Sequence, residues 1–259
     1  MRLTDSYSSV FPDDVLDRFA FHEVRNASAV LQAAHPDDLS SIIEVLRGWA
    51  LTDSDIVLAG GNKSTIAADL DRAFRIDGWR EARVDTQLKL RLVLQPYRDA
   101  GEDRPRVEET TSDSKGYKVD NMRGGVALDV EWNAKDGNLD RDLSAYRVLY
   151  SEALIDVAVI ITRLHDDLRD FARERARFHG LRDEEVARIL GTTTTTNERK
   201  LRPRLVRGDG GGCPVLAIYI APESWVDAPL SRAAEAVVRG EMDEVDRLIE
   251  AEGRALDKP

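Results

Sequence analysis

Val119-Asp120-Asn121-Met122-Arg123-Gly124-Gly125-Val126-Ala127-Leu128-Asp129-Val130-Glu131-Trp132 is the stretch on which the reading of this chain turns. In an extended strand successive side chains point to opposite faces. Val126, Leu128, Val130 and Trp132 therefore share one face, and Asp129 and Glu131 share the other. The rise of a strand sets those two carboxylates about 6 to 7 Å apart. Arg123-Gly124-Gly125 has the composition of a turn, so the preceding segment doubles back and brings Asp120 beside the pair. Three carboxylates gathered in this way suit a hard divalent cation held through oxygen. Acids two apart on a solvated strand face are the plainer reading of the same spacing. The wholly apolar opposite face and the crossover unit that follows point instead to a sheet interior, where three unpaired like charges would be costly without a cation.

Periodicity assigns the elements on either side. Residues 13–50 read as mainly helical after a short strand, with an amphipathic pattern from Asp37 to Leu46 behind Pro36. Ser64 or Thr65 can cap a helix carrying Ile66, Leu70 and Phe74, which Gly78 stops. From Val84 to Leu94 the alternation of Val84, Thr86, Leu88, Leu90, Leu92 and Leu94 with mostly polar residues describes a strand covered on one face. Residues 100–114, rich in charge, Gly, Pro, Ser and Thr, read as a mobile loop. Two acid-bearing strands follow, over 117–121 and 126–133. Leu139, Leu143, Tyr146, Leu149 and Leu154 then define a helix capped by Asn138, and residues 155–162 a buried strand. Strand, helix and strand in series imply a parallel crossover. Helices over 166–177 and 183–190, a threonine run, a basic tract, a strand over 215–220 and an acidic helical tail complete the order.

The chain has 259 residues, 42% of them hydrophobic, and a formal net charge of −11. This is enough for one large domain. It argues against a protein that coats DNA or membranes indiscriminately, and leaves room for a local basic groove. One cysteine, Cys213, forbids an internal disulfide and fits a reducing compartment, where it reads as a small buried hydrophobe. His22, His35, His165 and His179 lack zinc-ligand spacing. No basic-then-apolar leader opens the chain, and the most apolar run, 153–161, is too short to span a bilayer. A soluble cytoplasmic protein is expected.

Clustered carboxylates and a divalent cation supply much of what phosphodiester hydrolysis requires: an activated water and stabilisation of growing negative charge. Asp120 and Asp129 would bind metal, and Glu131 would bind metal or accept a proton from water. Four features together resemble the BglII and BstYI group of type II restriction endonucleases, which have the PD-(D/E)xK nuclease fold. They are Gly78-Trp79-Arg80-Glu81, Asp120 followed nine residues later by Asp129-Val130-Glu131, Ile155 to Thr162, and, more weakly, Cys213 to Ile220. The resemblance covers about residues 60–220. It implies an α/β fold with a PD-(D/E)xK restriction-endonuclease-like core, a mixed central sheet flanked by helices, and extra N- and C-terminal helices. On this reading 1–259 is a single nuclease domain, with 221–259 a helical extension.

The resemblance also implies that Asp120 and Asp129 bind Mg²⁺ and that Glu131 occupies the position of the general motif's lysine. Relatives place glutamate and then glutamine in this strand. A carboxylate at Glu131 is more similar to the BamHI arrangement, with glutamate as a general base. Glu81 is a fourth acid near the site or a surface charge. Asn133 and Lys135 would enter the major groove if the resemblance holds, where Asn pairs with adenine and Lys with guanine; the alternative is a plain turn. Arg199, Lys200, Arg202, Arg204 and Arg207 place five cations within nine residues. Phosphate binding, helped by Thr192 to Thr196, is one use, and a solvated helix face the other. Lys63 is a further phosphate candidate. The expected partners are double-stranded DNA, a second copy of the chain and a cognate DNA methyltransferase, and the expected target is a short palindrome centred on GATC. A nuclease-fold DNA-binding or methyl-sensing protein without turnover is the alternative.

Overall fold

The computed structural model describes residues 1–58, 65–132, 134–191 and 194–256. The chain forms β1 (Leu3–Thr4), α1 (Tyr7–Val10), α2 (Asp13–Leu16), β2 (Phe19–Val24), α3 (Ala27–Ala34), α4 (Pro36–Gly48), α5 (Asp53–Val57) and α6 (Thr65–Ile76). The middle part comprises β3 (Arg80–Leu94), β4 (Arg106–Arg123), β5 (Val126–Val130), α7 (Gly137–Ser151) and β6 (Val157–Arg163). Then come α8 (Asp166–Phe178), α9 (Asp183–Arg188), α10 (Glu198–Arg207), β7 (Val215–Ile220), α11 (Arg232–Arg239) and α12 (Met242–Leu256). Among the described residues one mixed sheet of seven strands has the order β1-β2-β7-β6-β5-β4-β3. β5, β6 and β7 are parallel, and the outer pairs are antiparallel. The crossover between β5 and β6 is α7, as the sequence predicts.

Every residue of β5, β6 and β7 is buried, because helices cover both faces of the sheet centre. Val126, Leu128, Val130 and Trp132 pack into the larger core with Leu31, Ile42, Leu70 and Leu168 from the helices on that side. Ala127, Ala158, Ile160 and Tyr219 face the other way, onto Leu139, Leu143, Tyr146 and Leu149 of α7 and Leu201 and Leu205 of α10. Asp129 and Glu131 alternate onto this second face, beneath α7. The β4–β5 turn is pinned from behind: Arg123 donates to Asp38 and to the Asp77 carbonyl, and His35 meets Asp156 at 2.9 Å. A Cβ on Gly125 would stand 2.7 Å from Asp156 Oδ2 and 2.9 Å from the His35 ring, so this close approach requires glycine.

Phe19–Val24 is the short strand expected ahead of the helices of this region, paired along its length with β7. Three expectations are corrected. Residues 106–114 are strand: β4 begins at Arg106 and pairs with β3 back to Leu94. The outer part of β3 is uncovered on both faces, with Leu88, Leu90 and Leu92 about half exposed. α7 begins at Gly137, one residue ahead of the expected Asn138 cap. Lys63, Asn133, Thr192 and Thr193 lie outside the described residues.

A buried ion network ties α5 to α8 and to the segment after β7. Asp53, 1% exposed, accepts from Arg175 Nε at 2.9 Å and from Trp225 Nε1 at 2.9 Å, and meets His179 Nε2 at 2.6 Å. Burial pushes the Asp53 carboxyl up, but the bonds from Arg175, His179 and Trp225 outweigh it and hold the group at about 2. Removing the charge leaves Arg175 without its counter-ion. Asp53→Asn is therefore expected to cost about 3 kcal/mol, read from the midpoint of urea unfolding, with a fold that stays native in far-UV circular dichroism.

Candidate active site

The β4–β5 ladder runs from Arg123↔Val126 to Asn121↔Leu128, and side chains extend the pairing beyond it. The Asp120 amide donates to Asp129 Oδ1 at 2.8 Å, and the Val130 amide bonds to the Asp120 carboxylate. Two of the three predicted acids thus clasp each other's strands. Tyr146, from the third turn of α7, donates its hydroxyl to Asp129 Oδ2. Both oxygens of Asp129 are therefore engaged.

Glu131 sits just past the end of β5 with its backbone held at three points. Its amide donates to the Ile161 carbonyl at 2.8 Å, and its own carbonyl accepts from Thr162 Oγ1 at 2.7 Å and Thr196 Oγ1 at 2.8 Å. Thr196 is fully buried, so the end of the threonine run braces the chain at the end of β5 and offers no hydroxyl to phosphate there. The Glu131 side chain meets Asp142 of α7, an acid not among the predicted site residues. Asp142 is 3% exposed; its Oδ1 accepts from Arg141 Nη2 at 3.1 Å. Arg141 Nη2 also stands 3.9 Å from Glu131 Oε1. Among the described residues, Glu131 Oε2 and Asp142 Oδ2 are buried without a hydrogen-bond donor.

Burial dominates the electrostatics. It pushes Asp129 up to about 7 against the bonds from Tyr146 and Asp120, with Asp142 and Asp120 adding repulsion. Glu131 and Asp142 are both raised, first by burial; for Glu131 the adjacent Asp142 charge comes next. Asp120 is raised by burial and then by Glu81. The phenol of Tyr146 is raised well above its ordinary value, by burial and then by Asp129. It stays protonated and acts as a donor. Asp71 of α6, a further acid missed in the sequence, accepts from Asn121 Nδ2 at 2.7 Å and is pushed up to about 6 by burial. Asp71 also lines an open cleft of about 680 Å³ with Ala68, Arg72, Arg75, Ile76 and Arg80. The positive charge of Arg75, on this cleft, favours the ionised forms of both Asp71 and Asp120.

The remaining predicted residues lie outside the cluster. Glu81 is exposed on β3 and pairs with Lys118 at 3.4 Å; it acts on Asp120 from the rim. Lys135 is exposed and its backbone bridges to Thr195. The basic tract becomes α10, where most of its cations already have partners. Arg199 pairs with Asp166, Lys200 with Asp136 at 3.4 Å, Arg204 with Asp140 at 2.7 and 2.8 Å, and Arg207 with Asp209 at 2.7 Å. Arg202 is exposed. The tract therefore binds α10 to α7 and to the start of α8, and its positive charge is largely balanced.

The chain matches the family model described as restriction endonuclease BglII/BglIII over residues 19–220 of its 259. No curated protein matches it. Enzymes of this type act on double-stranded DNA and generally need divalent metal ions. The donor set fits a hard cation: every side-chain donor in the cluster is a carboxylate oxygen, and two buried ones lack a hydrogen-bond donor. Among the described residues no three Asp, Glu, His or Cys side chains already stand in a metal-holding arrangement, consistent with Asp129 being turned onto Tyr146 and the Asp120 amide. With the match spanning both clasped strands, α7 and the whole parallel part of the sheet, the chain belongs to the BglII/BglIII restriction endonuclease family and is a type II site-specific deoxyribonuclease.

Proposed function

We propose that the protein is a Mg²⁺-dependent endonuclease that cuts both strands of a short palindrome, centred on GATC, working in the cytoplasm as a homodimer alongside a cognate methyltransferase. The observation that carries this reading is the meeting of Asp120, Asp129, Glu131 and Asp142 at the end of two clasped strands. A bound divalent cation would supply charge stabilisation and an acidified water. Asp120, Asp129 and Glu131 would hold it. Glu131, whose backbone is locked and one of whose oxygens has no donor, would accept the proton of the attacking water. Tyr146 keeps Asp129 oriented, and the Arg72, Arg75 and Arg80 side of the cleft gives the DNA backbone a cationic approach that α10 offers less well. Lys135 and Asn133, beyond the catalytic strand, would read bases.

Unmethylated plasmid is expected to yield discrete fragments with Mg²⁺ and none with EDTA, and sequencing the fragment ends would report the site. Plasmid methylated at the GATC adenine, and separately at cytosine, tests protection. A second reading, a nuclease fold that binds without cutting, is favoured by one observation: both oxygens of Asp129 are already committed to protein donors. Under that reading gel retardation survives and no fragments form with Mg²⁺ or Mn²⁺.

A further inference from the structure

Arg141 stands at the edge of the acid cluster, on the second turn of α7. Neighbours in sequence do not face one another on a helix. Arg141 nonetheless curls round to Asp142 and gives Nε at 3.2 Å and Nη2 at 3.1 Å to the same oxygen, Oδ1. Its Nη2 is also 3.9 Å from Glu131 Oε1. Among the described residues it is the one cation within ion-pair reach of the four clustered acids. Its charge favours the ionised form of Asp120 as well. Against a desolvation that disfavours its charge, Asp142, Glu131 and Asp129 hold its proton more firmly than usual. The side chain is 62% exposed, so it can turn outward without leaving a packed site.

An ion pair this exposed contributes little to the stability of the fold. Its consequence is chemical. Cutting a phosphodiester builds negative charge on the phosphate and on the leaving oxygen, and four carboxylates by themselves oppose that charge. We propose that Arg141 is a further catalytic residue: with the carboxylates engaged by a bound cation, its guanidinium turns from Asp142 to the non-bridging oxygens of the phosphate being cut. There it holds the charge that grows as the bond to the leaving oxygen breaks. A divalent charge among the same acids weakens their hold on the guanidinium, so metal binding and the turn of Arg141 act in one direction. The planar fork of donors suits two phosphate oxygens at once. Arg199, Lys200 and Arg204 of α10 are less free for this work, each being held by an acid outside the cluster. The inference rests on the reading above that puts the cation and the scissile phosphate at Asp120, Asp129 and Glu131.

Arg141→Gln is expected to lower kcat for cleavage by about a hundredfold or more, with KM for DNA within about threefold of the wild type. Arg141→Lys should keep part of the rate, because the charge remains and the fork is lost. Arg141→Ala should regain about tenfold when guanidinium chloride is added at non-denaturing concentration, and sodium chloride of equal ionic strength should not restore it. A second readout needs no turnover. In Ca²⁺, an uncut duplex carrying an uncharged methylphosphonate at the linkage found by end sequencing should bind the wild type more weakly than the natural duplex. That penalty should be about tenfold smaller for Arg141→Gln, the coupling expected of a charge-assisted bond. An arginine that only steadies Asp142 would behave otherwise. Arg141→Gln would then lower the melting temperature and the Ca²⁺ affinity, guanidinium would restore nothing, and the methylphosphonate penalty would equal that of the wild type. That pattern, or a wild-type rate in Arg141→Gln, overturns the inference. Normal cutting by Glu131→Gln and Asp120→Asn would move the whole site elsewhere, and this inference would fall with it. If those two are inactive while Arg141→Gln cuts normally, the site stands and Arg141 has no part in the chemistry.

Discussion

Glu131→Gln is expected to lower double-strand cleavage by about a thousandfold or more while leaving DNA retardation intact, and to make the metal-free protein more stable than the wild type. Both effects follow from one feature. Glu131 is 5% exposed, its backbone is locked by Ile161, Thr162 and Thr196, and its carboxylate abuts that of Asp142. Such a group is held ready at a cost: burial and the neighbouring acid penalise its charged form. Glutamine keeps the shape, removes the charge and provides an amide that can donate to Asp142 Oδ2. It therefore relieves the destabilising repulsion and removes the proton acceptor at the same time. A merely structural glutamate would behave in the opposite way, since its replacement would lower stability and spare the chemistry. Cleavage assays and thermal unfolding of the same preparation separate the two cases. Unchanged cleavage by Glu131→Gln and also by Asp120→Asn would remove the site from this face of the sheet.

Much of this site was legible before any coordinates. Alternation over 126–132 is a direct statement about which side chains share a face, and the apolar spacing of Leu139, Leu143, Tyr146 and Leu149 says which helix covers the acids. The same stripe contained the signal for what was missed. Asp142 and Tyr146 are four apart on the buried side of α7, and a carboxylate on an otherwise apolar stripe has to face something that can tolerate it. The outer β3–β4 hairpin was misread for a different reason. A two-residue period states that one face of a strand is apolar and is silent about what covers it, so Leu88 to Leu94 was assigned a cover inside the chain. Its partner strand, 106–114, is written in Glu, Thr, Ser and Asp because an uncovered ribbon asks for no core residues, and that composition imitates a loop. The acidic partners of the basic tract are hidden by distance in sequence. Asp136, Asp140 and Asp166, which pair with Lys200, Arg204 and Arg199, lie 33 to 64 residues away, and local charge counting cannot see them.

Without divalent cation, the folded protein is expected to lose stability as pH rises from about 4 to about 8, by on the order of 4 kcal/mol from Asp129 alone. The sign follows from where the proton sits. Asp129 ionises near its ordinary value of 3.8 in the unfolded chain and at about 7 in the fold. Between those values the folded state keeps a proton that the unfolded state has released, so each step up in pH favours unfolding until the folded group ionises too. Asp71, at about 6, and the raised Asp120, Glu131 and Asp142 act in the same direction. Asp53 has the opposite sign, but its contribution is complete above its ordinary range and is lost only as pH falls toward about 2. A cation takes the ionised carboxylates, so it should reverse the trend. The rise in melting temperature on adding Ca²⁺ is expected to be small near pH 5 and several degrees larger near pH 8. Asp129→Asn removes the titrating group and should flatten the metal-free profile and shrink the Ca²⁺ effect together. Scanning calorimetry across this pH range, with EDTA and with Ca²⁺, measures both. A metal-free melting temperature that climbs steadily to pH 8, or a Ca²⁺ effect independent of pH, would show that these carboxylates are not held protonated in the fold and that the cluster is not where a cation binds.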